Sequence, residues 1–355
     1  TGESYEIALR IVLEDPGVDA AIAAFVPPLG IKQADVAQSI VAALEARREK
    51  PVLAVLMGRE GLPEGIAELN EAGIPAYRFP ESAAKALAAM YRHRIWADRP
   101  LLEPEVFDVD RDAVAQVLDE VERAGRTQLT EVEALRVFQS YGIPTIPFRV
   151  AKSEEEAVES AREVGFPVVL KVLSPDVVHK TDAGGVRVDL RSDEEVAEAY
   201  RGILDSVQEV HGDAEIGGVI VESFEQDGRE VIVGMSTDPQ YGPILMFGLG
   251  GVYVEALRDV VFRVHPVTRI DASEMIREIR GFPLLEGVRG EEGVDLDALI
   301  EVVQRISQLV GEHERIEEMV LNPFMARGSG GVAVDARIAL RSEISVSPAS
   351  QPRLI

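Results

Sequence analysis

The chain has 355 residues, 46% of them hydrophobic, and a formal net charge of -26 without a single cysteine. That length suits two or three domains with true cores, while the acidity opposes nucleic-acid binding, which needs a positive surface. The missing cysteines exclude disulfides, thiolate metal sites and a cysteine nucleophile, in keeping with a reducing, cytoplasmic setting.

No apolar run approaches the roughly 18 to 20 residues of a membrane span. The opening TGESYEIALR is neither a basic leader nor an initiator methionine, so a soluble chain that begins partway through a longer protein is expected. DAAIAAFV (19–26) then reads as a buried strand, followed by a helix over 33–48, the strand PVLAVLMG (51–58), a helix over 63–72, the short strand PAYRF and a helix over 81–96. Short apolar strands alternating with amphipathic helices predict a parallel sheet covered on both faces, a flavodoxin-like layer over residues 1–98. Its rim loops, VPPLG (26–30) and MGREGLP (57–63), carry no histidine, no paired acids and no glycine fingerprint, which predicts a scaffold role.

Proline and acidic residues in RPLLEPEVFDVDRDAVAQ break the alternation and predict a linker over 99–127 that leads into a helix. A new domain, 128–342, opens at LTEVEALRVFQSYGIP, where Thr130 is placed to cap a helix that ends at Gly142. Strand PTIPFRVA, helix SEEEAVESAREVG, strand FPVVLKVL, strand GVRVDL, a helix over 192–210 and strand IGGVIVESF follow. Then come strands REVIVGMS and GPILMFGLGG, helices over 272–280 and 295–311, and strands EEMVLNPFMA and GGVAVDARIAL. Residues 343–355 lack periodicity and read as a tail.

Only six lysines occur, and two of them, Lys171 and Lys180, flank His179 in VLKVLSPDVVHKTDAGGV. A strand lysine projecting into a cleft supplies a compact positive charge suited to phosphate, and a neutral imidazole is nucleophilic near pH 7. Histidines 93, 211, 265 and 313 lie in helices or before prolines and read as structural.

The order of SPDVVHKTDAGGV, VIVESF, GREVIVG, DPQYGPILMFGLGG, LNPF and VDARI resembles the nucleoside-diphosphate-forming acyl-CoA synthetases, the ADP-forming acetate–CoA ligases related to succinyl-CoA synthetase. The resemblance covers essentially the whole chain and implies a flavodoxin-like ligase domain followed by an ATP-grasp domain, with a lid over roughly 144–224. It implies ATP or ADP held by Lys171, Lys180, Glu222, Glu230, Gly250 and Gly251, with Glu222 toward adenine and ribose and Glu230 on the ribose or supporting Lys171. Magnesium would sit on Asn322 and Asp335, although relatives often have an acid where this chain has Val320. His179 would be a phosphoryl carrier, with Glu255, Arg263 and Arg289 as further candidates around the glycine loop. The implied partners are CoA-binding and phosphohistidine domains, in the same protein or another subunit of a homo- or hetero-oligomer. A carboxylate–amine ligase without phosphohistidine and a degenerate regulatory module remain open beside this reading.

Overall fold

The computed structural model describes residues 2–27, 31–45, 49–58, 63–100, 102–177, 180–251, 259–288, 290 and 292–341. The chain divides into two compact units, Thr1–Leu101 and Leu102–Ile355.

All five residues of β2 (Val52–Leu56) are buried, as a central strand of a sheet covered on both faces requires. It pairs in parallel with β1 (Ala21–Phe25) and β3 (Ala76–Tyr77). The helices α1 (Gly2–Glu14), α2 (Gln33–Leu44) and α3 (Ile66–Glu71) supply Leu9, Leu13, Val36, Ile40 and Leu69 to one core. On the other face, α4 (Pro80–Ala97) sets Ala83 against Leu53 and Val55. Helix α1 was not anticipated; its buried Leu9 and Leu13 are one helical turn apart. The expected rim loops fall partly at 28–30 and 59–62, outside the described residues.

In the second unit, α5 (Arg111–Arg123) forms inside the stretch expected to be a linker. The Asp110 carboxylate caps it by accepting from Ala113 N–H (2.9 Å), and Val114, Leu118 and Val121 are buried at helical spacing. Helix α6 (Glu131–Ser140) starts with a capping box in which Thr130 and Glu133 satisfy each other's backbone N–H groups. Both helices pack onto the main core of this unit.

One antiparallel sheet runs β4-β7-β5-β6, built from β4 (Phe148–Ala151), β5 (Val168–Leu173), β6 (Val186–Leu190) and β7 (Gly218–Ser223). Helices α7 (Glu154–Val164) and α8 (Asp193–Val210) cover the face carrying Val168, Leu170, Val172, Val219 and Val221. Alternation therefore sends Val169, Lys171, Ile220 and Glu222 to the opposite face.

The larger antiparallel sheet runs β10-β9-β8-β11-β12, with β13 also on β11. Its strands are β8 (Arg229–Asp238), β9 (Gly242–Leu249), β10 (Val260–Val264), β11 (Ile316–Ala326), β12 (Gly331–Ala333) and β13 (Ala336–Leu340). The single strand expected from GGVAVDARIAL is thus two, separated at Val334–Asp335. Strand β10 and the short Phe282–Glu286 helix were not anticipated. The helices Arg269–Glu278 and Leu296–Glu312 pack into the same core.

Phe138 is fully buried at the junction of α6 with this core. Phe138→Ala should lower the unfolding free energy by about 3–5 kcal/mol, read from denaturant midpoints at unchanged slope.

Candidate functional site

Glu131, at the first turn of α6, is the hub of the site. Its side chain is almost wholly buried, and each of its two oxygens holds one lysine. Lys171 Nζ donates to Oε1 at 2.5 Å, and Lys180 Nζ donates to Oε2. Strand pairing sets Val169 opposite Glu222 and Lys171 opposite Ile220, so Lys171 and Glu222 are diagonal neighbours on the uncovered face. Glu222 is 0% exposed, and its Oε2 lies 2.8 Å from Lys171 Nζ. That approach is an ion-pair distance without the alignment of a hydrogen bond.

The electrostatics divide the two carboxylates. Burial alone would raise Glu131, but the charges of Lys171 and Lys180 pull it below its ordinary value. Glu222 is pushed up to about 8, by burial first and then by the neighbouring Glu131 charge acting against Lys171. Like charges at close range cannot both ionise cheaply, so at neutral pH Glu131 is the anion and Glu222 keeps its proton. Burial would lower Lys171, yet Glu222, Glu131 and Asp335 together carry it above the lysine range. Asp335 is raised by burial and by the Glu131 charge.

Lys180 is fixed by a close-packed turn. Gly185 N–H donates to the Lys180 carbonyl (2.7 Å), Gly184 N–H to that of Thr181 (3.0 Å), and Val172 N–H to that of Gly185 (2.8 Å). Gly184 has φ +66°, and a Cβ on Gly185 would sit 2.7 Å from Val172 Cγ1. These glycines therefore serve a turn shape and a close approach. His179, between buried Val177 and the anchored Lys180, lies outside the described residues, as do Glu255 and Arg289.

Asn322 and Asp335 meet where β11 passes from β13 to β12. Asn322 N–H donates to the Asp335 carbonyl at 3.2 Å, and Val320 pairs with Arg337 two residues along the ladder. Among the described residues no group of three or more histidine or acidic side chains forms a ready metal cage. An amide oxygen beside one carboxylate suits magnesium, which binds one or two protein oxygens together with phosphate and water. The raised Asp335 fits this, because a nearby cation would offset its burial cost.

Glu230, Gly250 and Gly251 form a second cluster. Gly250 N–H donates to the Glu230 carbonyl (2.7 Å), and Gly251, at φ +60°, leaves room for the Glu230 carboxylate, 2.3 Å from where a Cβ would stand. Support of Lys171, expected of Glu230, comes instead from Glu131 and Glu222. Arg263 pairs with Glu278 at 2.5 Å. Of the other histidines, His93 stacks on Trp96, His211 ends α8, His313 packs edge-on against Tyr141, and His265 is partly buried beside Gly311. Two open clefts of about 670 and 870 Å³ lie elsewhere in this unit and include none of these site residues.

Sequence reasoning missed Glu131, reading the TEVE stretch only as a helix start. The signal is present: Glu131, Leu135 and Phe138 stand at i, i+4 and i+7, all on the buried face of α6. A carboxylate on an apolar stripe needs a cationic partner.

Lys171 and Glu222 share one face of the smaller sheet, Glu131 joins them from helix α6 and Asp335 acts on Lys171 from between two strands of the larger sheet, and residues 120–340 match the ATP-grasp domain family. The chain is 47% identical over 232 residues to the beta subunit of ADP-forming acetate–CoA ligase I from Pyrococcus furiosus, covering 65% of this chain and 100% of that subunit. It is 37% identical over 341 residues to an ADP-forming 4-hydroxybutyrate–CoA ligase of Nitrosopumilus maritimus, covering 95% of this chain and 48% of that protein. Similar solved structures include an acetyl-coenzyme A synthetase of Candidatus Korarchaeum cryptofilum with coenzyme A and Ca-AMPCP (51% identity, TM-score 0.62, 64% of this chain and 99% of that one). The same enzyme with Mg-AMPPCP, its phosphohistidine segment pointing towards the nucleotide-binding site, matches at 46% identity and TM-score 0.58, over 64% of this chain and 100% of that one. The chain belongs to the ADP-forming acyl-CoA synthetase family of ATP-grasp proteins. It spans about half the length of the longer curated relatives, 48% and 49% for two of them.

The Glu222 proton gives the site a pH signature. An unfolded glutamate releases its proton near about 4.3, whereas folded Glu222 holds it to about 8. The folded state binds the extra proton across that window, so this contribution to stability is full below it and is lost as pH rises through about 8. Glu222→Gln, which cannot ionise, should gain stability relative to the parent between about pH 5.5 and 8.5, followed by urea unfolding. A difference independent of pH would contradict the assignment.

Proposed function

We propose that the chain is the nucleotide-binding half of an enzyme that interconverts acyl-CoA, ADP and phosphate with carboxylate, CoA and ATP. The observation that carries this reading is the convergence of Lys171 and Lys180 on Glu131 within a domain matching ATP-grasp. Two partly shielded ammonium groups suit the phosphates of a nucleotide, which an acidic chain must bind through few local charges. Lys171, Lys180, Glu222, Glu230, Gly250 and Gly251 line the nucleotide; Asn322 and Asp335 hold magnesium, which neutralises phosphate charge. The segment from 144 to 224 acts as the lid and residues 1–98 as the flavodoxin-like ligase domain; residues 343–355, expected to be a tail, lie outside the described residues.

His179 carries the phosphoryl group. Its neutral imidazole nitrogen attacks the γ-phosphorus, the bond to the bridging oxygen breaks, ADP leaves with that electron pair, and the phosphoramidate passes its phosphoryl group onward. Acyl and CoA chemistry belongs to further domains of the same protein or a partner subunit. Exposed Tyr91, Ile95 and Trp96 on α4 favour such neighbours. The absence, among the described residues, of any helix long and apolar enough to cross a membrane is compatible with work in the cytoplasm.

Calorimetry should detect Mg·ADP and Mg·ATP, and Lys171→Ala should cost about 1.5–3 kcal/mol of that binding. No heat at millimolar nucleotide from folded protein would remove the site. In the complete enzyme, His179→Asn should abolish turnover and acid-labile phosphate from γ-labelled ATP while nucleotide binding survives; full turnover would end the carrier role.

A further inference from the structure

Lys171 and Lys180 arrive from different places, one from strand β5 and the other from the turn after it, yet their ammonium groups meet on opposite oxygens of one carboxylate. Side-chain exposure is 12% and 18% for the lysines and 4% for Glu131. At such burial, two ammonium groups held this close repel strongly unless an anion lies between them. The other acidic groups acting on Lys171 are Glu222 and Asp335, but Glu222 keeps its proton at neutral pH and Asp335 forms no ion pair with either lysine among the described residues.

All three members are held rigidly. Glu131 follows a capping box that does not use its own side chain, Lys171 is locked in register between β6 and β7, and the Lys180 carbonyl is tied to Gly185. An ammonium group has three N–H donors, so the contacts with Glu131 and Glu222 leave donors for a ligand. Glu131 therefore need not be displaced when a phosphate arrives.

We propose that Glu131 is a positioning residue that holds Lys171 and Lys180 together, both charged, as a preformed clamp for nucleotide phosphates. The inference rests on the nucleotide-binding reading and adds to it a residue that touches no phosphate itself. Without Glu131 the ammonium groups separate, and phosphate must then bear the cost of bringing them together. Glu131 and Lys180 should accordingly act as one device rather than as two independent groups.

The test uses the whole chain with Glu131→Gln, Lys180→Met and the double variant, after thermal unfolding confirms folded protein. Mg·ADP affinity is measured by calorimetry and adenosine affinity by ligand-observed NMR. Glu131→Gln should weaken ADP roughly tenfold or more while adenosine changes less than about twofold, and should cost less than about threefold in the Lys180→Met background. Should Glu131→Gln not fold, Glu131→Asp, whose shorter stem cannot span both lysines, should weaken ADP at least about threefold with adenosine unchanged. ADP affinity equal to or tighter than the parent's, equal losses in both backgrounds, or parallel loss of adenosine would overturn the proposal. A parent chain that binds no ADP overturns the nucleotide reading itself, and this inference with it.

Discussion

Two positive charges can share a sheltered site only when an anion stands between them, and in this chain Glu131 is that anion. Its place depends on a helix cap, since Thr130 and Glu133 fix where α6 begins. The lysines depend on a strand register and a glycine turn. Three local features written in separate parts of the chain thus converge on one carboxylate. Removing any of them would leave a buried charge uncompensated, which costs more than the ion pair itself contributes.

The strand pattern of the second unit was largely legible because its apolar runs are short and bounded by glycine, proline or acidic residues. Lys171, Lys180, Glu222 and Asp335 were singled out by type and order, and the structure gathers them around Glu131. Glu131 itself escaped because an acid in the first turn of a helix has an ordinary explanation in the helix dipole. Only the burial of its face distinguishes it from Glu133, which stays in the capping box and pairs with Arg126.

Other misses have physical causes as well. Helix α5 sits in a proline- and acid-rich stretch whose composition suggested a linker, yet Val114, Leu118 and Val121 give it a buried stripe. GGVAVDARIAL looked continuous because its apolar alternation persists through Val334–Asp335. Pairing divides it: β12 aligns with Phe324–Ala326 and β13 with Ile316–Leu321 of one long strand. The register is the same on both sides of the break, so Asp335 stands opposite Asn322, whose N–H donates to its carbonyl, and no periodicity in either segment reports it.

The β4-β7-β5-β6 sheet carries its valines on one face and Lys171 with Glu222 on the other. Because side chains alternate strictly along a strand, core and ligand chemistry here are two readings of a single register. One inserted residue in β5 ahead of Leu170 would turn a valine toward the cluster and drive the lysine into the apolar layer beneath α7 and α8. Side chains on this strand can be exchanged one at a time, but its length between Pro167 and Ser174 cannot drift. Binding chemistry and fold are tied here by parity, so losing count by one loses both.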